Sequence, residues 1–279
     1  MELRKILKEY SLQLQPLYSG QEAESLVLLL FEYFLGLQRM DILRGMKISQ
    51  MPPGFGTAIN KLRKGIPIQY ITQTAPFYGR DYKVNPSVLI PRNETEELVH
   101  LIIKENKTSA LKILDVGTGS GCIPVSLFLE MDSPVIAALD ISSEALDIAK
   151  ANALAYKAAI DFYLLDILHN DIPITNLDIL VSNPPYVRES EKLKMHQNVL
   201  ENEPHLALFV PNGDPLIFYG AIAKKGKAAL KLGGKLYFEI NESLGQEVSH
   251  LLSSSGYVGI RLIKDLNEKE RIIVAINSG

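Results

Sequence analysis

From residue 93 onward, short apolar runs alternate with amphipathic helical stretches, and this alternation constrains the fold more than any other feature. Candidate strands are Lys112–Val116, Val135–Leu139, Asp161–Leu164, Ile179–Ser182, Lys235–Ile240, Tyr257–Ile263 and Arg271–Ala275. Candidate helices cover residues 94–105, 121–130, 143–155, 216–231 and 243–254. Strands linked through helices run parallel, and the helices cover both faces of the sheet. Only Lys264 to Glu270 separates the last two strands, too little for a crossover helix, so these two should pair antiparallel. The expectation is an α/β protein with a seven-stranded, mostly parallel sheet and a C-terminal antiparallel hairpin.

Residues 1–75 read differently. Ser19-Gly20-Gln21-Glu22 has the form of a capping box, and Leu26, Val27, Leu29, Leu30, Tyr33, Phe34 and Leu37 follow at helical spacing. Met51-Pro52-Pro53-Gly54 breaks that pattern, and a short helix fits residues 54–64. A small N-terminal helical bundle is expected. Residues 76–92 are turn-rich and alternate in polarity around Tyr78-Gly79, so a β-hairpin linker is expected before a domain spanning 93–279.

Charge narrows the functional classes. Lys and Arg number 29 against 32 Asp and Glu, a net charge of −3, which does not suit a general polyanion binder. The balance is uneven: residues 1–75 carry nine basic and six acidic side chains, and the remainder is net negative. A lone cysteine, Cys122, excludes an internal disulfide framework and a Cys-based zinc site. The five histidines (His100, His169, His196, His205 and His250) show no metal-ligand spacing, so no metal is expected. The longest apolar stretch, Leu26 to Leu37, is interrupted by Glu32 and is too short to span a bilayer. Met1-Glu2-Leu3-Arg4-Lys5 leads into no apolar signal segment, so a cytoplasmic protein without membrane contact is expected.

The first chemically loaded stretch is Asp115-Val116-Gly117-Thr118-Gly119-Ser120-Gly121, where a buried strand enters a glycine-rich turn. Such turns at the carboxyl edge of an open α/β sheet receive nucleotides. The spacing is neither the Gly-x-Gly-x-x-Gly of dinucleotide enzymes nor a P-loop, so a nucleoside without phosphates fits better. Asp140 ends the second strand, 19 positions after Gly121, where a carboxylate can accept from both ribose hydroxyls. The alternative for Asp140 is an acid favouring a helix start at Ser142-Ser143-Glu144. Asp166, followed by Ile167, is placed to accept from an adenine amino group, or else is a solvated turn acid. Asp115 is expected to brace the glycine loop.

Val181-Ser182-Asn183-Pro184-Pro185-Tyr186 follows the fourth strand. Two prolines prevent the helix due at this point and hold Asn183 extended. The Asn183 side chain and the Pro184 carbonyl can then accept both hydrogens of one planar –NH2 group, with Tyr186 stacking on it.

Together, the glycine loop, Asp140 and Asn183-Pro184-Pro185-Tyr186 resemble class I (Rossmann-like) S-adenosylmethionine-dependent amino-methyltransferases. Three further segments resemble the HemK/PrmC family: Pro91-Arg92-Asn93-Glu94-Thr95-Glu96, Gly65-Ile66-Pro67-Ile68-Gln69-Tyr70-Ile71, and the Glu201–Leu208 stretch containing Glu203-Pro204. The resemblance implies methylation of N5 of the glutamine in the Gly-Gly-Gln motif of class I peptide chain release factors. It implies that Gly117, Thr118, Gly119, Ser120 and Gly121 line the methionine part of S-adenosylmethionine, with Asp140 on its ribose and Asp166 and Ile167 at its adenine. Asn183 would lie close to the cofactor and bind the substrate amide, and Pro184, Pro185 and Tyr186 would complete the catalytic pocket. Family members can carry an aromatic residue after the acid that is Asp166 here. With Ile167-Leu168 in its place, adenine packing would be aliphatic. Arg92 and Glu94 would border the pocket or cap the hairpin. Residues 1–75 would dock the protein substrate, and the enzyme would act as a monomer. The main competing reading is a nucleic-acid amino-methyltransferase acting on adenine N6 or guanine N2, which would use the same turn on a flipped base. A regulator without catalysis and a dinucleotide dehydrogenase are the others. The intact Asn-Pro-Pro-Tyr turn opposes the first and the glycine spacing opposes the second.

Overall fold

The computed structural model describes residues 1–279, the side chain of Lys194 apart. In chain order the elements are α1 (Leu3–Leu14), α2 (Gly20–Leu35), α3 (Arg39–Leu43), α4 (Phe55–Arg63), α5 (Ile68–Thr72), β1 (Thr74–Phe77) and β2 (Arg80–Lys83). Then come α6 (Asn93–Glu105), β3 (Lys112–Val116), α7 (Cys122–Glu130), β4 (Val135–Asp140), α8 (Ser143–Ala155), β5 (Ile160–Leu164) and β6 (Leu177–Ser182). The chain ends with β7 (Val187–Arg188), α9 (Gln197–Asn202), β8 (Phe209–Val210), α10 (Ile217–Ala229), β9 (Leu230–Glu239), α11 (Gly245–Ser254), β10 (Tyr257–Lys264) and β11 (Glu270–Asn277). Two units result: residues 1–74 with 196–202, and residues 75–195 with 203–279.

The larger unit is built on a seven-stranded sheet of order β10-β11-β9-β6-β3-β4-β5. Strands β9, β6, β3, β4 and β5 are parallel, whereas β11 runs antiparallel to both β9 and β10. The expected C-terminal hairpin is therefore present, with β11 inserted beside β9. Alternation along β6 sets the two layers. Leu180 joins α10 and α11 side chains such as Tyr219, Ile222 and Val248 on one face. Ile179 and Val181 join α6 and α7 side chains such as Leu98, Val99 and Val125 on the other. With both faces covered, the strands read as near-continuous apolar runs.

The β1–β2 hairpin packs against this second face rather than standing free. Phe77 and Tyr82 enter its core, and the Tyr82 hydroxyl lies 2.8 Å from Ser126 Oγ. Asn152 in α8 accepts from Lys83 N–H at 2.7 Å and donates to the Lys83 and Ser120 carbonyls, tying the hairpin to the glycine loop.

The smaller unit has its own core, in which Leu14, Val27, Phe31, Phe55 and Leu62 meet. Ser19 caps α2 by accepting from Glu22 N–H at 3.3 Å. Helix α9 belongs to this unit: Asn198 donates to the Tyr18 hydroxyl and Asn202 to the Gly65 carbonyl. Among the described residues no helix is long and apolar enough to cross a membrane.

Candidate active site

The chain runs from β3 outward through β4 to β5, then returns to place β6 on the other side of β3. A crevice opens at such a reversal, outside the carboxyl ends of the strands. There the structure holds a cavity of about 400 Å³, lined from the ends of β3, β4 and β6, the segment after β5, and helix α10.

Gly117, Gly119 and Gly121 have φ of 76°, 53° and 78°, the left-handed region that glycine occupies without strain. Gly117 and Gly119 line the cavity, and a Cβ on either would enter open space. Gly121 acts differently: a Cβ there would lie 3.1 Å from Ala149, so this glycine allows α7 to pack on α8. Thr118 and Ser120 are buried and do not line the cavity. The loop thus offers a ligand backbone at alternate positions and packs its other residues inward.

Asp140 lines the cavity at the end of β4. Its Oδ2 accepts from Gly119 N–H at 2.8 Å and its Oδ1 from Ser142 N–H at 3.0 Å. One carboxylate thereby fixes the glycine loop and the start of α8 while each oxygen keeps a further lone pair. The loop-bracing role expected of Asp115 falls to Asp140. Asp115 is fully buried, and neither of its carboxylate oxygens has a hydrogen-bond partner. Burial pushes its carboxyl up to about 7, with the Asp140 charge acting in the same direction against the Thr118 side chain. The Thr118 hydroxyl is also buried without a partner. Unpaired buried acceptors are costly. Neither Asp115 nor Thr118 lines the cavity.

After β5, Asp166 lines the cavity, but both its oxygens are engaged. Oδ1 accepts from Leu168 N–H at 2.8 Å, and Oδ2 lies 2.6 Å from His169 Nδ1. Leu165, Ile167 and Leu168 supply the expected aliphatic lining here. An aromatic ring is present as well: Phe218 of α10 reaches the same cavity. Sequence reading did not assign it, because it lies 52 positions beyond Asp166.

Asn183, Pro184 and Pro185 line the cavity next to Gly117 and Gly119. Asn183 Nδ2 donates to Thr95 Oγ1 at 3.1 Å. The Thr95 hydroxyl donates to Glu239 Oε2 at 2.6 Å, and the Tyr186 hydroxyl donates to Glu239 Oε1 at 3.2 Å. Tyr186 therefore differs from the expected stacking face: it does not line the cavity, and it packs against the core of the α10–α11 face. Thr95 and Glu239 were missed as site residues. Glu239 is 1% exposed at the end of β9, and a carboxylate closing the apolar run Leu236-Tyr237-Phe238 is the signal that could have revealed it. Burial raises its carboxyl above the usual range, opposed by the Thr95 hydrogen bond and the Arg271 charge.

Two other segments meet at the cavity rim. Glu203, 4% exposed, accepts from Ile90 N–H at 3.1 Å through Oε2 and from the Arg92 guanidinium at 2.6 Å through Oε1. This clamp holds the stretch whose Ser87, Val88 and Leu89 form one wall of the cavity, while Pro204 and Leu206 contribute beside it. Arg92 thus acts through Glu203. Glu94 does not line the cavity.

A family model described as "Methyltransferase small domain" matches residues 94–218. A protein from Bacteroides thetaiotaomicron named release factor glutamine methyltransferase is 46% identical over 266 residues, covering 94% of this chain and 95% of that protein. Proteins of the same name from Flavobacterium psychrophilum and Bacillus subtilis are 41% and 38% identical over 279 and 271 residues. They cover 96% and 92% of this chain, and 98% and 92% of their own lengths. The chain belongs to the release factor glutamine methyltransferase family. The fold likeness extends to a methyltransferase from Pyrococcus furiosus, with a TM-score of 0.54 at 15% identity over 76% of this chain and 94% of that one.

Proposed function

We propose that this chain transfers a methyl group from S-adenosylmethionine to N5 of the glutamine in the Gly-Gly-Gln motif of class I peptide chain release factors. The carrying observation is Asn183: its NH2 is committed to Thr95, while its Oδ1 makes no hydrogen bond among the described residues and the side chain lies at the cavity wall. Membership of the release factor glutamine methyltransferase family supports the substrate class.

The site's donor and acceptor set fits S-adenosylmethionine. Asp140 would take the ribose hydroxyls, and Gly117 and Gly119 the methionine part. The unpaired Asp115 carboxylate, which does not line the cavity, would meet its ammonium group only through water. Ile167, Leu168 and Phe218 would pack on the adenine, with Asp166 accepting at its edge. When bound, this cofactor supplies an electrophilic methyl group on a sulfonium.

The chain's own residues must make an amide nitrogen nucleophilic, since its lone pair is delocalised into the carbonyl. Asn183 Oδ1 and the Pro184 carbonyl accept the two amide hydrogens. That favours a pyramidal nitrogen and stabilises the positive charge that develops there, an electrostatic effect fixed in advance by the turn. The two prolines keep those acceptors from relaxing. No general base is needed, because the protonated amide product is strongly acidic. Cys122 would serve poorly as one: burial pushes its thiol up to about 12.

The test is incubation with methyl-labelled S-adenosylmethionine and a release factor, followed by mass mapping. Label on the Gly-Gly-Gln glutamine is expected. Label on RNA or DNA alone, with salt-dependent activity, would replace this reading by the nucleic-acid one.

A further inference from the structure

Within this reading of Asn183 as the acceptor of a glutamine NH2, its side chain must face the cavity with oxygen and not nitrogen. The two ends of a primary amide are nearly the same size, so shape alone does not choose between them. Hydrogen bonding does. A threonine hydroxyl has one proton. Here that proton goes to Glu239 Oε2 at 2.6 Å. Thr95 can then offer Asn183 only a lone pair, and a lone pair accepts only from the NH2 end. A flipped amide would set Oδ1 against Thr95 Oγ1, acceptor against acceptor, and turn its NH2 toward the substrate's own NH2.

The relay is anchored at its far end. Glu239 holds its place through the register of β9, where it pairs with Ile272 of β11, and through the Tyr186 hydroxyl on Oε1. Thr95 sits in the first turn of α6 at 3% exposure. Thr95 and Glu239 lie 144 positions apart, and neither lines the cavity.

We propose that Thr95 and Glu239 are positioning residues that fix the orientation of the Asn183 amide, so that its oxygen faces the substrate. The relay also favours an amide over a carboxylate, because a glutamate side chain would present oxygen to oxygen.

The experiment measures methyl transfer to a release factor by Thr95→Val, Thr95→Ala and Thr95→Ser, each alone and combined with Asn183→Asp. It adds cofactor affinity by calorimetry and the Asn183 side-chain NH2 resonances in the enzyme without substrate. Thr95→Val should lower kcat by about 10- to 100-fold, less than removal of the acceptor itself. KM and cofactor affinity should stay within about threefold, and Thr95→Ser should restore most of kcat. In the Asn183→Asp background both ends of the side chain are acceptors, so Thr95→Val should cost nothing further there. One Asn183 NH2 proton should exchange slowly in the wild type and lose that protection in Thr95→Val. If Thr95→Val does not fold, Thr95→Ala gives the same comparison with less crowding at Glu239. Wild-type kcat in the folded Thr95 variants overturns the proposal. So does an equal loss in the wild-type and Asn183→Asp backgrounds, which marks a merely structural role. A wild type inactive on release factors would instead refute the substrate reading, and the NH2 protection would then decide the orientation alone.

Discussion

In the proposed reaction one side chain, Asn183, carries most of the chemistry. Replacing it by Ala deletes an acceptor aimed at charge that exists fully only in the transition state, so the loss should fall on kcat. Removing one such polar group costs roughly 10²–10³ in rate. Asn183 is only half-buried at the cavity wall, so Asn183→Ala should melt close to the wild type. Near-normal turnover on a release factor would make the turn structural. Asp115 gives a second residue-scale expectation. With its carboxyl raised to about 7, the folded protein keeps a proton between about pH 4 and 7 that the unfolded chain releases. Stability is therefore lost as pH rises through that window, by at most about 4 kcal/mol at 1.36 kcal/mol per unit. Asp115→Asn cannot titrate, so it should gain on the wild type from pH 4 to pH 8 and gain less from added S-adenosylmethionine. Parallel melting curves across pH would remove the buried charge from Asp115. The cavity-lining residues Gly117, Asp140 and Asn183 were legible because each follows a recognisable strand. Thr95 and Glu239 were not, because the roles proposed for them arise from a hydrogen bond that no local pattern encodes.

Element by element, strands and helices of the larger unit could be read because apolar runs and helical periods are strong signals over five or more residues. The signal fails where an element is short or carries turn residues. Strand β9 begins at Leu230, five residues earlier than the apolar run suggests, because Leu232-Gly233-Gly234 reads as a turn. The two-residue parallel pair β7–β8 has no periodicity to detect, yet it anchors the segment that follows Tyr186. The Glu203 clamp joins residues 111 positions apart, so its function as an element-to-element tie was also invisible. Glu203→Ala would leave Ile90 N–H without its acceptor and Arg92 without its anion, at a cost of about 1–3 kcal/mol. Because the freed stretch walls the cavity, cofactor affinity should fall as well. Calorimetry and denaturant melts on this variant should show both losses, and an unchanged cofactor affinity would confine the clamp to stability.

On the scale of the whole molecule, chemistry and charge are segregated. Every residue lining the cavity belongs to the unit of residues 75–195 and 203–279. The smaller unit has a separate core and contributes none of that lining, while residues 1–75 carry the basic excess. A part with its own core and no share in the cavity proposed for the cofactor is free to serve recognition, and the docking role proposed for residues 1–75 rests on that separation. A fragment beginning at Ala75 should bind S-adenosylmethionine with about the affinity of the full chain. It should methylate a short Gly-Gly-Gln peptide at a comparable rate and a whole release factor poorly, because only the protein has surface beyond the motif to dock. Interface energy concentrates in a few contacts, so the deficit on the whole protein should reach tenfold or more, about 1.4 kcal/mol. The loss of Tyr18 and Gly65, which hold Asn198 and Asn202, is a separate effect of the truncation. Full-length Asn198→Ala/Asn202→Ala measures it alone and should keep most activity on the whole protein. Equal rates of fragment and full chain on the intact release factor would refute the docking role. A parallel fall on peptide and protein would instead show that residues 1–75 support the catalytic unit itself.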